Sequence, residues 1–337
     1  MNAYIAALTT YLPEFIYDNE ELARQFPEWS VDKIYEKTGI HSRHIAGEDE
    51  SCSDMAVSAA EKLFLDENIR KEDIDYILLC TQSPDYFLPT TACLVQARLG
   101  LSTSCGALDF NLGCSGYVYG LSLAKGLLET NQAKNVLLIT SELYSRYIAD
   151  EDKSVRTLFG DASTATLLKA RPIGGVKIGP FVFGSDGNGA QNLIVPHGGS
   201  KSPITDESHI LESDNAKNKR ASKHLFMNGA EILTFTLKTV PKSVDLLLEK
   251  SGLHKDDVDY VVFHQANKFM LEKLRKKIGF SSDSFLVSYE DYGNTVSSTI
   301  PLGLAKAISE NKFKKGDKVL LVGFGVGYSW AGTIITC

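Results

Sequence analysis

Cys114 stands in the run Asp109-Phe110-Asn111-Leu112-Gly113-Cys114-Ser115-Gly116-Tyr117, where a turn opens into a long helical stretch. A thiol there has a physical reason to be a thiolate, because a helix N-terminus presents unpaired N–H groups and the positive end of the peptide dipole. Both lower a cysteine pKa and make the sulfur a nucleophile near neutral pH. A cysteine among apolar residues also fits as a small core hydrophobe, and this segment alone leaves both readings open. The other cysteines, Cys52, Cys80, Cys93, Cys105 and Cys337, form no Cys-x-x-Cys pair and have no partnered histidine spacing, so no metal site is expected. Their scatter fits reduced thiols of a cytoplasmic enzyme.

The elements that must position Cys114 are visible as short apolar runs alternating with helical stretches. Tyr76-Ile77-Leu78-Leu79, Asn135-Val136-Leu137-Leu138-Ile139 and Lys318-Val319-Leu320-Leu321-Val322 read as strands buried on both faces, hence an α/β class. Three segments recur in order at nearly one offset. The run from Ile69 to Leu79 recurs from Leu253 to Phe263, 184 residues on. Leu121-Ser122-Leu123-Ala124-Lys125 recurs as Leu302-Gly303-Leu304-Ala305-Lys306 after 181, and Val136-Leu137-Leu138-Ile139 as Val319-Leu320-Leu321-Val322 after 183. Such a repeat predicts an internally duplicated fold with halves 1–172 and 173–337. Equivalent elements then meet about a pseudo-two-fold axis, and the turn Tyr292-Gly293-Asn294-Thr295 opens a helix facing the one that Cys114 opens. His264 follows the repeated strand where a βα connection is expected, and α/β active sites gather at such strand ends. Cys114, His264 and Asn294 become candidates for one pocket. Taken singly, His264 also fits a hydrogen-bonded core histidine and Asn294 a turn residue.

Composition narrows the partners. The 337 residues are 43% hydrophobic and 23% charged, with a formal net charge of −7. That is an ordinary globular balance, and it argues against a nucleic-acid or anionic-membrane binder, which needs a dominating basic surface. No run approaches membrane-spanning length and the start of the chain lacks a basic leader, so a soluble cytoplasmic protein is expected.

With these residues in hand the chain resembles the thiolase-fold condensing enzymes, most closely the β-ketoacyl-ACP synthase III family. The resemblance rests on Thr38-Gly39-Ile40 with Arg43-His44-Ile45-Ala46, Cys114-Ser115-Gly116, Phe159-Gly160-Asp161, His264-Gln265-Ala266-Asn267, Gly293-Asn294-Thr295 with Pro301, and Gly323-Phe324-Gly325-Val326-Gly327-Tyr328-Ser329-Trp330. It implies a five-layer αβαβα homodimer that needs no cofactor or metal and takes acyl-CoA or acyl-ACP and malonyl-ACP as substrates. Cys114 would be acylated; His264 and Asn294 would hold the malonyl thioester carbonyl during decarboxylation; the backbone N–H groups of Cys114 and Gly327 would form an oxyanion hole. The glycine-rich turn lacks the second cysteine that degradative thiolases use, which favours condensation over thiolysis.

The resemblance also assigns substrate contacts to Lys37, Lys153, Gly229 and Asn267 and, reaching the partner's acyl pocket across the dimer, to Phe87 and Leu88, and departs from the family at several of them. Lys33 and Lys153 replace an aromatic ring and a guanidinium that sandwich the adenine of coenzyme A, which leaves two readings open: coenzyme A bound differently or weakly, or a carrier protein as the acyl donor. Ala230 replaces an amide-bearing residue, and residues 197–222 read as a solvated loop or a lid. Lys268, Lys273, Lys276 and Lys277 on a helix are either a solvated face or a docking patch for acidic acyl carrier protein, with Phe269 in place of a familiar docking arginine. Rival readings are acyl transfer from Cys114 to a non-malonyl acceptor and, in another class, a non-catalytic acyl-carrier-binding subunit, against which the presence of Cys114 counts.

Overall fold

Strands alternate with helices along the chain because the apolar runs are short and bounded by polar turns. The computed structural model describes residues 1–172 and 177–337, and the boundary expected between 172 and 173 abuts positions 173–176, outside the described residues. Two five-stranded sheets form. In the first, Asn2–Tyr11, Ala162–Arg171, Asn135–Glu142, Tyr76–Cys80 and Gly106–Phe110 lie side by side in that order. In the second, Ile178–Ser185, Ser329–Thr336, Lys318–Gly325, Tyr260–Phe263 and Phe285–Leu286 repeat the order element for element. The register repeats as well: Tyr76 pairs with Val136 and Tyr260 with Val319, both in parallel. The duplication read from three sequence offsets is a duplication of topology.

Alternation of side chains along each strand feeds two cores at once. Leu78, Leu138, Val262 and Leu321 point into a central layer, where helices Gly116–Glu129 and Thr299–Ser309 lie between the sheets. Ile77, Leu79, Leu137 and Ile139 point outward against helices Cys52–Asp66 and Thr91–Leu99. Val261, Phe263, Leu320 and Val322 do the same against Gly229–Ser251 and Lys268–Ile278. The result is five layers, αβαβα, in the thiolase-like arrangement. Each fully buried Leu, Ile or Phe contributes roughly 1.5–3 kcal/mol relative to exposure.

The central helix Gly116–Glu129 is apolar around most of its circumference because both faces are covered. Its glycines let it approach the first sheet: a Cβ on Gly116 would stand 2.2 Å from the Cys80 sulfur, and one on Gly120 2.5 Å from Leu138 Cδ1. The turn carrying Cys114 is thereby pressed between the sheets. No helix among the described residues is long and apolar enough to cross a membrane.

Candidate active site

Cys114 lies one residue ahead of Ser115, the cap of helix Gly116–Glu129, and is 5% exposed. The end of strand Lys318–Gly325 is flat against it. A Cβ on Gly325 would stand 2.6 Å from the Cys114 sulfur and one on Gly323 2.5 Å from its carbonyl oxygen, so no side chain fits at either position. This contact, more than two hundred residues away in sequence, closes the thiol off from water. Burial pushes it up to about 12, against the opposing pull of the Val326 backbone N–H. The thiolate expected from the helix terminus alone is therefore corrected: desolvation outweighs the amides, and the free enzyme holds a neutral thiol.

His264 and Asn294 line the same cavity as Cys114, a space of about 80 Å³. His264 is reached by the strand Tyr260–Phe263, its N–H bonded to Val322 O at 2.8 Å. Burial lowers the ring to about 3, only partly countered by the Val296 carbonyl, so the imidazole is neutral. Its Nδ1 lies 2.8 Å from Thr299 Oγ1, and its ring stands perpendicular to that of Phe324 with 5.5 Å between centroids. Asn294 is fixed at both ends. Its backbone N–H donates to Leu158 O at 2.8 Å and its carbonyl accepts from Gly160 N at 3.1 Å, while its side-chain oxygen accepts from Val296 N at 3.0 Å. With that oxygen engaged, the carboxamide NH2 is the group left to donate.

The N-terminal motif supports this segment rather than touching the thiol. Arg43, fully buried, bonds Thr157 O and Asn19 Oδ1, and its side chain fills the space beside Gly160 and Gly293, where Cβ atoms would lie 3.2 and 3.0 Å from Arg43 carbons. Asp161 accepts from Ala46 N at 2.9 Å and Ser145 N at 3.0 Å, tying the Phe159-Gly160-Asp161 loop to the same motif.

The other expected residues divide between the cavity wall and positions away from it. Gly229 and Asn267 line the cavity, with Asn267 also capping helix Lys268–Ile278 through Met270 N at 2.9 Å. Lys153 is bound to Glu28 at 2.8 Å, and the Lys33 and Lys37 ammonium groups lie 5.6 and 5.3 Å from the ring centre of Trp29. Trp29 is the aromatic group of this region, one that the sequence reading did not single out. Phe87 and Leu88 stand away from the cavity, 90% and 82% exposed. Lys273, Lys276 and Lys277 are exposed along one helix, and Lys268 covers Gly39 with its ammonium 5.2 Å from the Tyr35 ring centre. Gly327, at φ +133, is next to Val326, whose amide meets the sulfur.

Sequence reasoning missed Tyr144, Leu193, Ile232, Met270 and Phe324 as cavity walls. It also missed Glu142, whose carboxyl burial raises to about 8 and which accepts from Ser297 Oγ at 2.6 Å and Gln82 N at 3.0 Å. Of these only Phe324 lies within a quoted motif, so it alone carried a signal.

Two copies of one topology converging on a single thiol, with a neutral imidazole and an amide donor beside it, define a condensing enzyme of the thiolase-like class. Comparison with known proteins narrows this further. The family model described as 3-oxoacyl-[acyl-carrier-protein (ACP)] synthase III matches residues 108–187, and its C-terminal model matches 248–337. The β-ketoacyl-[acyl-carrier-protein] synthase III of Caldanaerobacter subterraneus is 35% identical over 333 residues, 99% of this chain and 97% of its own. That of Clostridioides difficile is 36% identical over 341 residues, covering 99% and 98%. A crystal structure of a 3-oxoacyl-(acyl-carrier-protein) synthase III superposes with a TM-score of 0.98 at 49% identity over the whole of both chains. Another, from Burkholderia xenovorans LB400, gives 0.91 at 37% identity over 100% of this chain and 94% of that one. The chain belongs to the β-ketoacyl-ACP synthase III family.

Proposed function

We propose that the enzyme works by a ping-pong route in which Cys114 takes an acyl group from a thioester primer and passes it to the carbanion formed from malonyl-ACP. The observation that carries this is the placement of Cys114, His264 and Asn294 around one cavity with the Asn294 oxygen already engaged. The Asn294 NH2 and the His264 ring then face the oxygen of a thioester as carbon dioxide leaves, and donors aimed at developing charge are usually a large catalytic term. The acyl-Cys oxyanion is held by backbone N–H groups of Cys114 and of the Val326–Gly327 turn. All the groups required are protein side chains and backbone, so no cofactor or metal enters; acyl-CoA or acyl-ACP and malonyl-ACP are substrates, met in the cytoplasm. Exposed Lys273, Lys276 and Lys277, with Lys268, form the basic face that steers the acidic carrier. Lys37 and Lys153 supply ammonium groups for a phosphate, Lys153 only after leaving Glu28.

The test is intact-mass analysis of the protein incubated with a panel of acyl-CoAs and acyl-ACPs, with and without malonyl-ACP. Acylated protein that malonyl-ACP discharges to a β-ketoacyl product is expected. Adducts that malonyl-ACP never discharges point to another acceptor, and no adduct with any donor defeats the proposal.

We further propose that the working form is a homodimer. Strand Gly106–Phe110 is an open edge of the first sheet and carries Leu108 at 42% exposure, while Phe87 and Leu88 project from the loop after the neighbouring strand. An open edge with apolar side chains is a surface that pairs with another strand. Wild-type protein should run as a dimer by light scattering, and Leu108→Lys should shift it toward monomer. A monomeric wild type at micromolar concentration defeats this part.

A further inference from the structure

The neutral His264 ring carries one proton on two nitrogens, and the structure contains what decides between them. Nδ1 lies 2.8 Å from Thr299 Oγ1. The same hydroxyl stands 3.0 Å from the Val296 carbonyl oxygen, which can only accept. A hydroxyl has one proton. Directed at Val296, it presents a lone pair to Nδ1, and only an N–H pairs with a lone pair. Were the proton turned to Nδ1 instead, oxygen lone pairs would face each other at 3.0 Å inside a dry site.

The Val296 carbonyl is itself fixed. Val296 has φ +56, a left-handed conformation that a β-branched residue seldom adopts, and it is fully buried. Its N–H holds the Asn294 side-chain oxygen and its carbonyl accepts from Thr299, so the two peptide groups of one strained residue aim both of the residues facing Cys114.

We infer that Thr299, locked by Val296, holds His264 in the Nδ1–H tautomer and leaves Nε2 as a bare lone pair on the cavity side, making Thr299 a positioning residue of the site. Resting His264 is then an acceptor. In the acylation half-reaction the Cys114 S–H bond breaks as Nε2–H forms, the sulfur–acyl bond forms as the carrier sulfur–acyl bond breaks, and the ring passes its Nε2 proton to the carrier thiolate. In the condensing half-reaction Nε2 takes up a proton from water as negative charge develops on the malonyl thioester oxygen, and donates it in a hydrogen bond to that oxygen. When the β-ketoacyl product leaves, the Cys114 thiolate recovers that proton. These proton moves rest on the condensing role proposed above; the tautomer does not.

The tautomer is read directly by long-range 1H–15N correlation spectra of uniformly 15N-labelled protein, with His264 assigned by its loss in His264→Gln. Wild type and Thr299→Ser should show Nδ1 protonated and Nε2 bare, and Thr299→Val a mixed pattern. Single-turnover acylation of Cys114 should fall roughly tenfold or more in Thr299→Val and be retained in Thr299→Ser. Thr299 is the first residue of its helix and the side chain of its cap, Ser298, makes no capping bond, so Thr299→Val leaves the helix start intact. An Nε2–H pattern in wild type, or an unchanged pattern in Thr299→Val, overturns the inference. Should the valine variant not fold, the wild-type spectrum decides alone. Failure of acylation with every donor, alongside an Nδ1–H spectrum, would remove the condensing role and leave the tautomer standing.

Discussion

Replacing Cys114 by alanine is expected to abolish the acyl adduct and lower condensation by roughly four orders of magnitude or more, since removal of a covalent nucleophile forfeits the whole two-step route. The fold should survive. The sulfur is the only heavy atom lost, and it faces the backbone of Gly325. A stability change within about 1 kcal/mol is expected, checked by thermal unfolding. Five other thiols provide an internal control. Cys52 and Cys80 are buried and line no part of the cavity, with their thiols on Thr81 Oγ1 at 3.4 Å and Leu112 O at 3.0 Å. Cys93 is exposed and lines no part of the cavity. Acylation should therefore map to one peptide, and an adduct persisting in Cys114→Ala would remove this residue from the chemistry.

The Cys114 prediction separates what the sequence made legible from what it did not. The position of the thiol, the duplication and the pairing of His264 with the Cys114 helix could be read because they depend on local runs and on one repeated offset. The register of both sheets, Tyr76 on Val136 and Tyr260 on Val319, is that offset made physical. The protonation of the thiol could not be read, because it depends on how closely Gly323 and Gly325 approach across the sheets. Thr299 and Val296 were also out of reach: their roles come from one hydroxyl proton and one unusual φ, neither of which has a composition signal. The basic residues show a different limit. Lys37 and Lys153 were placed by resemblance as phosphate contacts, but the chain supplies them with partners of its own, Trp29 and Glu28, so position in a motif does not reveal whether a charge is free. Arg43 shows the reverse: a charged residue in a motif proves to be a buried strut under the Asn294 segment, held by Thr157 and Asn19.

The second large effect is expected at Asn294, where two substitutions are needed to isolate the donor. Asn294→Ala removes the NH2 group but also the oxygen that accepts from Val296 N at 3.0 Å, so a buried N–H is orphaned and the strained turn at Val296 is released. Loss of activity in that variant alone would not distinguish a missing donor from a displaced His264, whose Thr299 contact depends on the same turn. Asn294→Asp keeps an acceptor for Val296 and replaces only the NH2 by an oxygen. Decarboxylation of malonyl-ACP, followed by release of labelled carbon dioxide, should fall about 10²–10³-fold in Asn294→Asp, as for removal of one donor from an oxyanion site. Acylation of Cys114, followed by intact mass, should fall far less, because the attacking sulfur and its backbone donors are untouched. Asn294→Ala should lose decarboxylation to at least the same degree and, through His264, lose part of acylation as well. If Asn294→Asp decarboxylates at the wild-type rate, the NH2 group does not hold the thioester oxygen; if both half-reactions fall equally in Asn294→Asp, Asn294 supports the shape of the site rather than the charge that develops in it.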